Sequence, residues 1–319
     1  MLRAIRRLGI TPSVLDFLRA AIKSPCGFEE FDFTLCCHDP RKLTPTQRPT
    51  QRPTQRPTTQ RPTEAPTPSC GISESTNNRI IGGEEVTSAQ KWPWAAILGI
   101  PNGNRIRVLC GGTLINDRYV LTAAHCFGGT DPTHVRLGEL DIASFDNRHQ
   151  DIRIGSKIIH PNWSRRTLKN DIALVRMVST PRPALNKPVC LPYSYVNVRP
   201  ENLKEGGVVI GWGAIDNHDK ATVDTLREAI LPIESVSSCN RKYSDTNVNI
   251  GNDQICAGLG NKDTCQGDSG GPMLSLERDG SRWSIIGITS FGVDCADTRF
   301  PGVYTRVDKY LDWIEQNTK

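Results

Sequence analysis

From Ile80 to the C-terminus, apolar positions come in short runs broken by turn residues, and no run is long. Trp94–Ile100, Arg118–Leu121, Asp171–Val175, Val208–Ile210 and Ser284–Ile288 have strand length and are mostly rich in β-formers. Runs of this kind, regularly spaced over the last 240 residues, predict an all-β barrel or sandwich. A helical period stands out at the end, where Val307, Tyr310, Leu311 and Ile314 share one face.

Upstream the pattern changes twice. Residues 1 to about 40 carry Cys26, Cys36 and Cys37, and Val14, Leu15, Phe17 and Leu18 predict one short helix. Between Thr44 and Pro68, Thr-Gln-Arg-Pro occurs four times, starting at Thr46, Thr50, Thr54 and Thr59. Seven prolines in these 25 residues exclude helix and sheet and predict a disordered, polyproline-II-like spacer. Its reach is about 80 Å. Each of its arginines, Arg48, Arg52, Arg56 and Arg61, precedes a proline. Proline fits badly on the leaving side of a basic-specific protease, so the tether would resist such enzymes. Expansion of a single repeat unit would give the same pattern. The spacer threonines are candidate O-glycan sites, and Asn162-Trp163-Ser164 is an N-glycan acceptor motif.

Charge narrows the function classes. The formal charge is +5, and the spacer's four Arg and one Glu account for +3 of it. The remainder is near neutral, so no basic patch argues for a nucleic-acid partner. No run reaches membrane-spanning length. Eleven cysteines point to an oxidising compartment, although Met1–Ala21 has no continuous apolar stretch of secretory type. The cysteines decide for a secreted protein, with an upstream leader expected to be missing from this sequence.

The chemistry concentrates in three short motifs. In Gly267-Asp268-Ser269-Gly270-Gly271-Pro272, glycines on both sides of a serine permit a sharp turn and leave N–H groups able to hold an oxyanion. A serine hydroxyl needs a base, and the base needs a carboxylate to orient it. His125 within Leu121–Cys126 and Asp171 within Asn170–Leu174 supply candidates. The apolar neighbours of Asp171 predict a strand that holds its carboxylate away from water. Singly, each motif also reads as a loop, a surface histidine or a turn; together, in this order, they read as a catalytic set.

These motifs, with Arg79-Ile80-Ile81-Gly82-Gly83 and Trp92-Pro93-Trp94, resemble the chymotrypsin-like serine proteases over residues 70 to 319. The resemblance implies two packed six-stranded antiparallel β-barrels with a C-terminal helix and a catalytic cleft between the barrels. It implies Ser269 as nucleophile, His125 as general base and then acid, and Asp171 as the group holding the imidazole tautomer. The N–H groups of Gly267 and Ser269 would form the oxyanion hole. Asp263 would lie at the floor of the primary pocket and select Arg or Lys. Ser290, Gly292 and Gly302 would line that pocket. Phe291 stands where the family often has Trp, which bears on the extended subsites alone. Cleavage of Arg79–Ile80 would free an amine on Ile80 to pair with Asp268. The implied disulfides are Cys70–Cys190, Cys110–Cys126, Cys239–Cys256 and Cys265–Cys295.

Ser24-Pro25-Cys26-Gly27-Phe28 and Leu35-Cys36-Cys37 resemble the second half of a clip domain, a module of arthropod immune and clotting proteases. The chain then divides into a partial clip module (1–40), the linker (41–69), an activation segment (70–79) and a protease domain (80–319). Together the resemblances imply a secreted zymogen cleaving after Arg or Lys in a clotting, prophenoloxidase or Toll-ligand type of cascade. Its partners would be an upstream activating protease, a downstream zymogen or pro-ligand, and a serpin inhibitor. A digestive or venom protease is the rival enzyme, and a non-catalytic clip homologue the rival of another class. No cofactor or metal is expected. Glu139, Asp141, Asp146 and Asp151 cluster where some relatives have a calcium loop, but acidic surface turns are commoner.

Overall fold

The computed structural model describes residues 70–74, 84–103, 105–144, 148–203, 205–214, 222–258, 267–292 and 299–319. The chain divides into two units, Met1–Thr63 and Glu64–Lys319. The first unit, with the expected helix around Leu15 and the partial clip module, lies outside the described residues, as does the rest of the linker. The same holds for Arg79, Ile80, Asp146, Asp263, Cys265 and Cys295.

The first half of the domain is a closed six-stranded barrel. Its strands are β2 (Ala95–Asn102), β3 (Arg105–Leu114), β4 (Tyr119–Thr122), β5 (His134–Leu137), β6 (Gln150–Ile159) and β7 (Ala173–Met177), after a two-residue β1 (Glu84–Glu85). Around the barrel the order is β2-β3-β4-β7-β6-β5, all antiparallel, so closure leaves no edge strand. Runs read from the sequence at Trp94–Ile100 and Arg118–Leu121 fall on β2 and β4 with ends displaced by a residue or two. The run at Asp171 differs at one end. β7 starts at Ala173, and the chain reaches Asp171 through a turn in which Leu168 and Asn170 have φ of 54° and 58°.

The second half is an eight-stranded antiparallel sheet. Six longer strands are β8 (Gly207–Gly211), β9 (Arg227–Leu231), β11 (Gln254–Ala257), β12 (Pro272–Leu276), β13 (Trp283–Phe291) and β14 (Gly302–Arg306). Two-residue strands lie at its ends, β1 beside β9 and β10 (Ile233–Glu234) beside β11. The expected C-terminal helix is present as α2 (Leu311–Asn317), following a 3-10 turn at Val307–Lys309. Val307, Tyr310, Leu311 and Ile314 are all buried, which is what their shared face requires. A second helix, α1 (Val236–Lys242), was not apparent in the hydrophobic pattern. Only Cys239 of its residues is buried; Ser235 Oγ caps it by accepting from the Ser238 N–H at 3.2 Å.

Among the described residues the largest apolar cluster runs through both halves, from Leu98, Leu121 and Leu174 to Ile285, Ile288 and Ile314, and two smaller clusters form around Ile255 and Tyr243. Trp92 packs edge-on against Trp94 and Trp283, with centroids 5.8 and 4.9 Å away. Cys70–Cys190, Cys110–Cys126 and Cys239–Cys256 are disulfides. The main chain after Cys70 is also stitched down: the Gly71 N–H donates to Pro188 O at 2.8 Å, and the Trp283 N–H donates to Gly71 O at 2.9 Å.

Glu228 on β9 is 2% exposed, yet both of its oxygens are satisfied. Oε1 is 2.5 Å from Lys91 Nζ, and Oε2 accepts from Trp92 Nε1 at 2.6 Å. The carboxylate thereby locks the entry to β2 onto the second sheet. Glu228→Ala would leave a half-buried ammonium and a buried indole N–H without their acceptor. We expect a loss of about 3–5 kcal/mol, read as a fall of about 10 °C in melting temperature, with Glu228→Gln clearly milder.

Candidate active site

His125 sits on a 3-10 turn, Ala124–Phe127, directly after β4. Its backbone N–H donates to Asp171 Oδ1 at 2.9 Å, and its Nδ1 lies 2.7 Å from Asp171 Oδ2. One carboxylate thus fixes both the turn and the ring. Asp171 is 1% exposed, so its charge depends on these donors. The other sheet adds one donor to the carboxylate and one to the main chain of the same residue. Ser290 Oγ donates to Asp171 Oδ2, and Thr305 Oγ1 donates to the Asp171 carbonyl at 2.8 Å. The β13–β14 register shifts between Thr289 and Phe291, and Ser290 is the residue in that irregularity. Such a bulge re-aims one side chain out of the alternating pattern, here toward the carboxylate. The hydroxyl–carboxylate contact was invisible in the sequence, where resemblance had assigned Ser290 to the pocket wall alone.

Ser269 reaches the same place from the second half of the domain. The Gly111 N–H on β3 donates to the Ser269 carbonyl at 2.8 Å, and Thr122 Oγ1 donates to Gly111 O at 2.8 Å. Gly270 has φ of 81°, and a β-carbon there would lie 2.2 Å from Thr122 Oγ1. Only glycine permits this approach of the serine turn to the histidine strand. The N–H groups of Gly267 and Ser269 donate to no acceptor among the described residues, and Ser269 Oγ makes no hydrogen bond there. Free N–H groups beside a free hydroxyl suit a tetrahedral oxyanion.

Asp268 points away from this cleft. Its Oδ1 accepts from the Gly213 N–H at 2.8 Å, and β-carbons on Gly211 or Gly213 would come within 2.0 and 2.2 Å of its oxygens. Of the residues assigned to the primary pocket, Ser290 and Gly302 are buried and Gly292 is exposed. Asp263 lies outside the described residues.

Two possible metal groupings do not suit a metal. Cys110, His125 and Cys126 lie close together, but the two sulfurs are bonded to each other and are not thiolates. In the acidic cluster, both Asp151 oxygens accept from Arg136, Nε at 2.7 Å and Nη2 at 2.8 Å. Glu139 Oε2 is 3.2 Å from Arg136 Nη1 and 3.1 Å from His149 Nδ1, while Oε1 accepts the N–H groups of Leu140 and Asp141. Burial pushes the Glu139 carboxyl up, and the charges of His149 and Arg136 oppose that rise. For Arg136, burial works against the charge, but hydrogen bonds and charge from Asp151, aided by Glu139, outweigh it and raise the pKa. A guanidinium therefore fills the electrostatic role a calcium ion would have there.

The family model described as Trypsin matches residues 80–314. The chain belongs to the trypsin family. It is also 37% identical over 309 residues to the proclotting enzyme of Tachypleus tridentatus, covering 92% of this chain and 81% of that protein. Phenoloxidase-activating factor 3 of Holotrichia diomphalia is 34% identical over 331 residues, with 98% and 86% covered. CLIP domain-containing serine protease B15 of Anopheles gambiae is 37% identical over 268 residues, with 78% and 71% covered. These relatives set the chain among clip-domain serine proteases, and it is a trypsin-like serine endopeptidase. Among the described residues, no helix is long and apolar enough to cross a membrane.

Two outcomes test the site. Asp171→Asn should fold, because the amide still fits the cavity, but lose kcat by about 10⁴, the size seen when the imidazole tautomer is wrong in such a triad. A chelator should leave the melting temperature of the wild type unchanged. A rise of more than about 2 °C on adding calcium would count against Arg136 as the charge that serves this cluster.

Proposed function

We propose that this chain is a secreted zymogen that, once cut at Arg79–Ile80, cleaves polypeptides after Arg or Lys in an extracellular clotting or immune cascade. The observation that carries the reading is the buried Asp171 carboxylate holding the His125 turn and ring beside Ser269. Ser269 attacks the scissile carbonyl, His125 takes its proton and returns it to the leaving amine, and the Gly267 and Ser269 N–H groups hold the oxyanion. Asp263, at the pocket floor, pairs with the cationic side chain of the substrate. Ser290 acts in a second way, by keeping the Asp171 charge in place.

Activation uses Asp268. The Ile80 amine, freed by cleavage, pairs with it and fixes the serine turn against Gly211–Gly213. The names of the relatives, a proclotting enzyme and a phenoloxidase-activating factor among them, support a cascade role with a zymogen or pro-ligand as substrate. An upstream protease would supply the cut and a serpin would end the activity. Cys70–Cys190 would keep the segment before the cut attached to the protease domain, including the partial clip module read at residues 1–40. The intact Ser269, with both partners in place, speaks against a non-catalytic cofactor.

The full chain, cut at Arg79 and checked by N-terminal sequencing, should hydrolyse Arg- and Lys-ended peptide anilides and be labelled at Ser269 by a serine-directed phosphonylating reagent. Asp263→Ser should abolish the basic preference. Asp268→Asn should be processed yet nearly inactive, since loss of one partner of a buried pair costs about 3–5 kcal/mol. Preference for an apolar residue, or full turnover by Asp268→Asn, would refute the reading.

A further inference from the structure

The turn between β6 and β7 carries two exposed cations that the catalytic set does not use. It is a rigid turn. The His160 N–H donates to Ile172 O at 3.1 Å, and its ring packs on Tyr310 and Trp313 at 5.3 and 5.2 Å. Ser164 bridges Lys169, the Leu168 N–H donates to Ser164 O at 2.7 Å, and the Thr167 N–H donates to Ser164 Oγ at 3.3 Å. Asn170 ties the two arms, with Nδ2 donating to Asn162 O at 2.9 Å and Oδ1 accepting from Tyr310 at 3.1 Å. The tip, Arg165-Arg166-Thr167, is held outward and exposed.

This tip lies beside the catalytic histidine. The Gly128 N–H closes the His125 turn by donating to His125 O at 3.1 Å, and Arg165 Nη1 is 3.6 Å from the position a β-carbon on Gly128 would take. The same turn ends at Asp171. Neighbouring cations are already matched. Lys169 pairs with Asp253 at 3.2 Å, and Lys157 pairs with Asp131 while lying over the Phe127 ring. Arg165 and Arg166 have no ion pair or hydrogen bond among the described residues. Two adjacent guanidinium groups without a counter-charge repel each other and gain when a carboxylate arrives, which a planar fork binds in two-pronged fashion.

We propose that Arg165 and Arg166 form a substrate-selecting rim that favours polypeptides carrying Asp or Glu near the scissile bond. The proposal rests on the basic-residue cleavage proposed above and adds a second requirement to it: a cation in the primary pocket and an anion on the rim. Both guanidinium groups are solvated, so each contact is worth little, but two acting together within a Debye length discriminate measurably.

The test uses the activated full chain, with every enzyme normalised by titration of Ser269. Fluorogenic hexapeptides with one Arg carry Glu or Ala in turn at each neighbouring position, and kcat/KM is measured in about 50 mM and about 500 mM salt. The wild type should prefer Glu over Ala about three- to tenfold at one or more positions, chiefly through KM, with the preference shrinking in high salt. Arg165→Gln/Arg166→Gln should bring the ratio close to one, and Arg165→Glu/Arg166→Glu below one. A wild-type ratio of one, with normal hydrolysis of a single-residue arginine anilide, overturns the rim alone. A ratio unchanged in both double variants does the same. Failure to hydrolyse the anilide overturns the basic specificity, and the rim falls with it.

Discussion

The carboxylate of Asp171 is where the two halves of the domain meet in one hydrogen-bonded group. It lies just ahead of β7 in the first barrel, orders the His125 turn there, and takes a further donor from Ser290 on β13 in the second sheet, while Thr305 on β14 holds the main-chain carbonyl of the same residue. A charge this deeply buried is tolerable only while every donor stays in place. The cleft is therefore a condition of the fold as much as a product of it, because moving one half would strip the charge of partners. The serine turn obeys a similar rule, since Gly111 on β3 holds the Ser269 carbonyl across the same seam.

Much of this was legible in the sequence because it depends on local pattern. Short apolar runs gave the strands, and the face shared by Val307, Tyr310, Leu311 and Ile314 gave α2, because burial of alternate or helical positions leaves a period behind. Asp171 in an apolar run was readable as a shielded carboxylate, although its left-handed neighbours place it in a turn ahead of the strand. Helix α1 escaped because it buries one cysteine only and is held by a serine cap and a disulfide rather than by an apolar stripe.

What stayed hidden depends on residues distant in the chain. Ser290 and Asp171 are 119 positions apart, and their contact needs a bulge that no composition announces. No motif singles out Arg136 in the sequence, and the acids around it read as a surface turn or an ion loop. Only the pairing of β5 with β6 brings Arg136 opposite Asp151 and closes a set of Arg136, Asp151, Glu139 and the His149 ring. The carboxylate of Glu228 is similar, because its partners Lys91 and Trp92 lie 137 and 136 positions away in the chain.

The anchoring of residues 70–74 has a consequence for redox stress. The bridge from Cys70 to Cys190 is backed by main-chain hydrogen bonds from Gly71 to Pro188 and Trp283, which do not depend on sulfur chemistry. A thiol that opened the covalent link would leave the backbone still hydrogen-bonded to Pro188 and to Trp283 on β13. Each such bond contributes only about 1 kcal/mol, so the bridge, and not the backbone contacts, decides whether a severed segment stays attached.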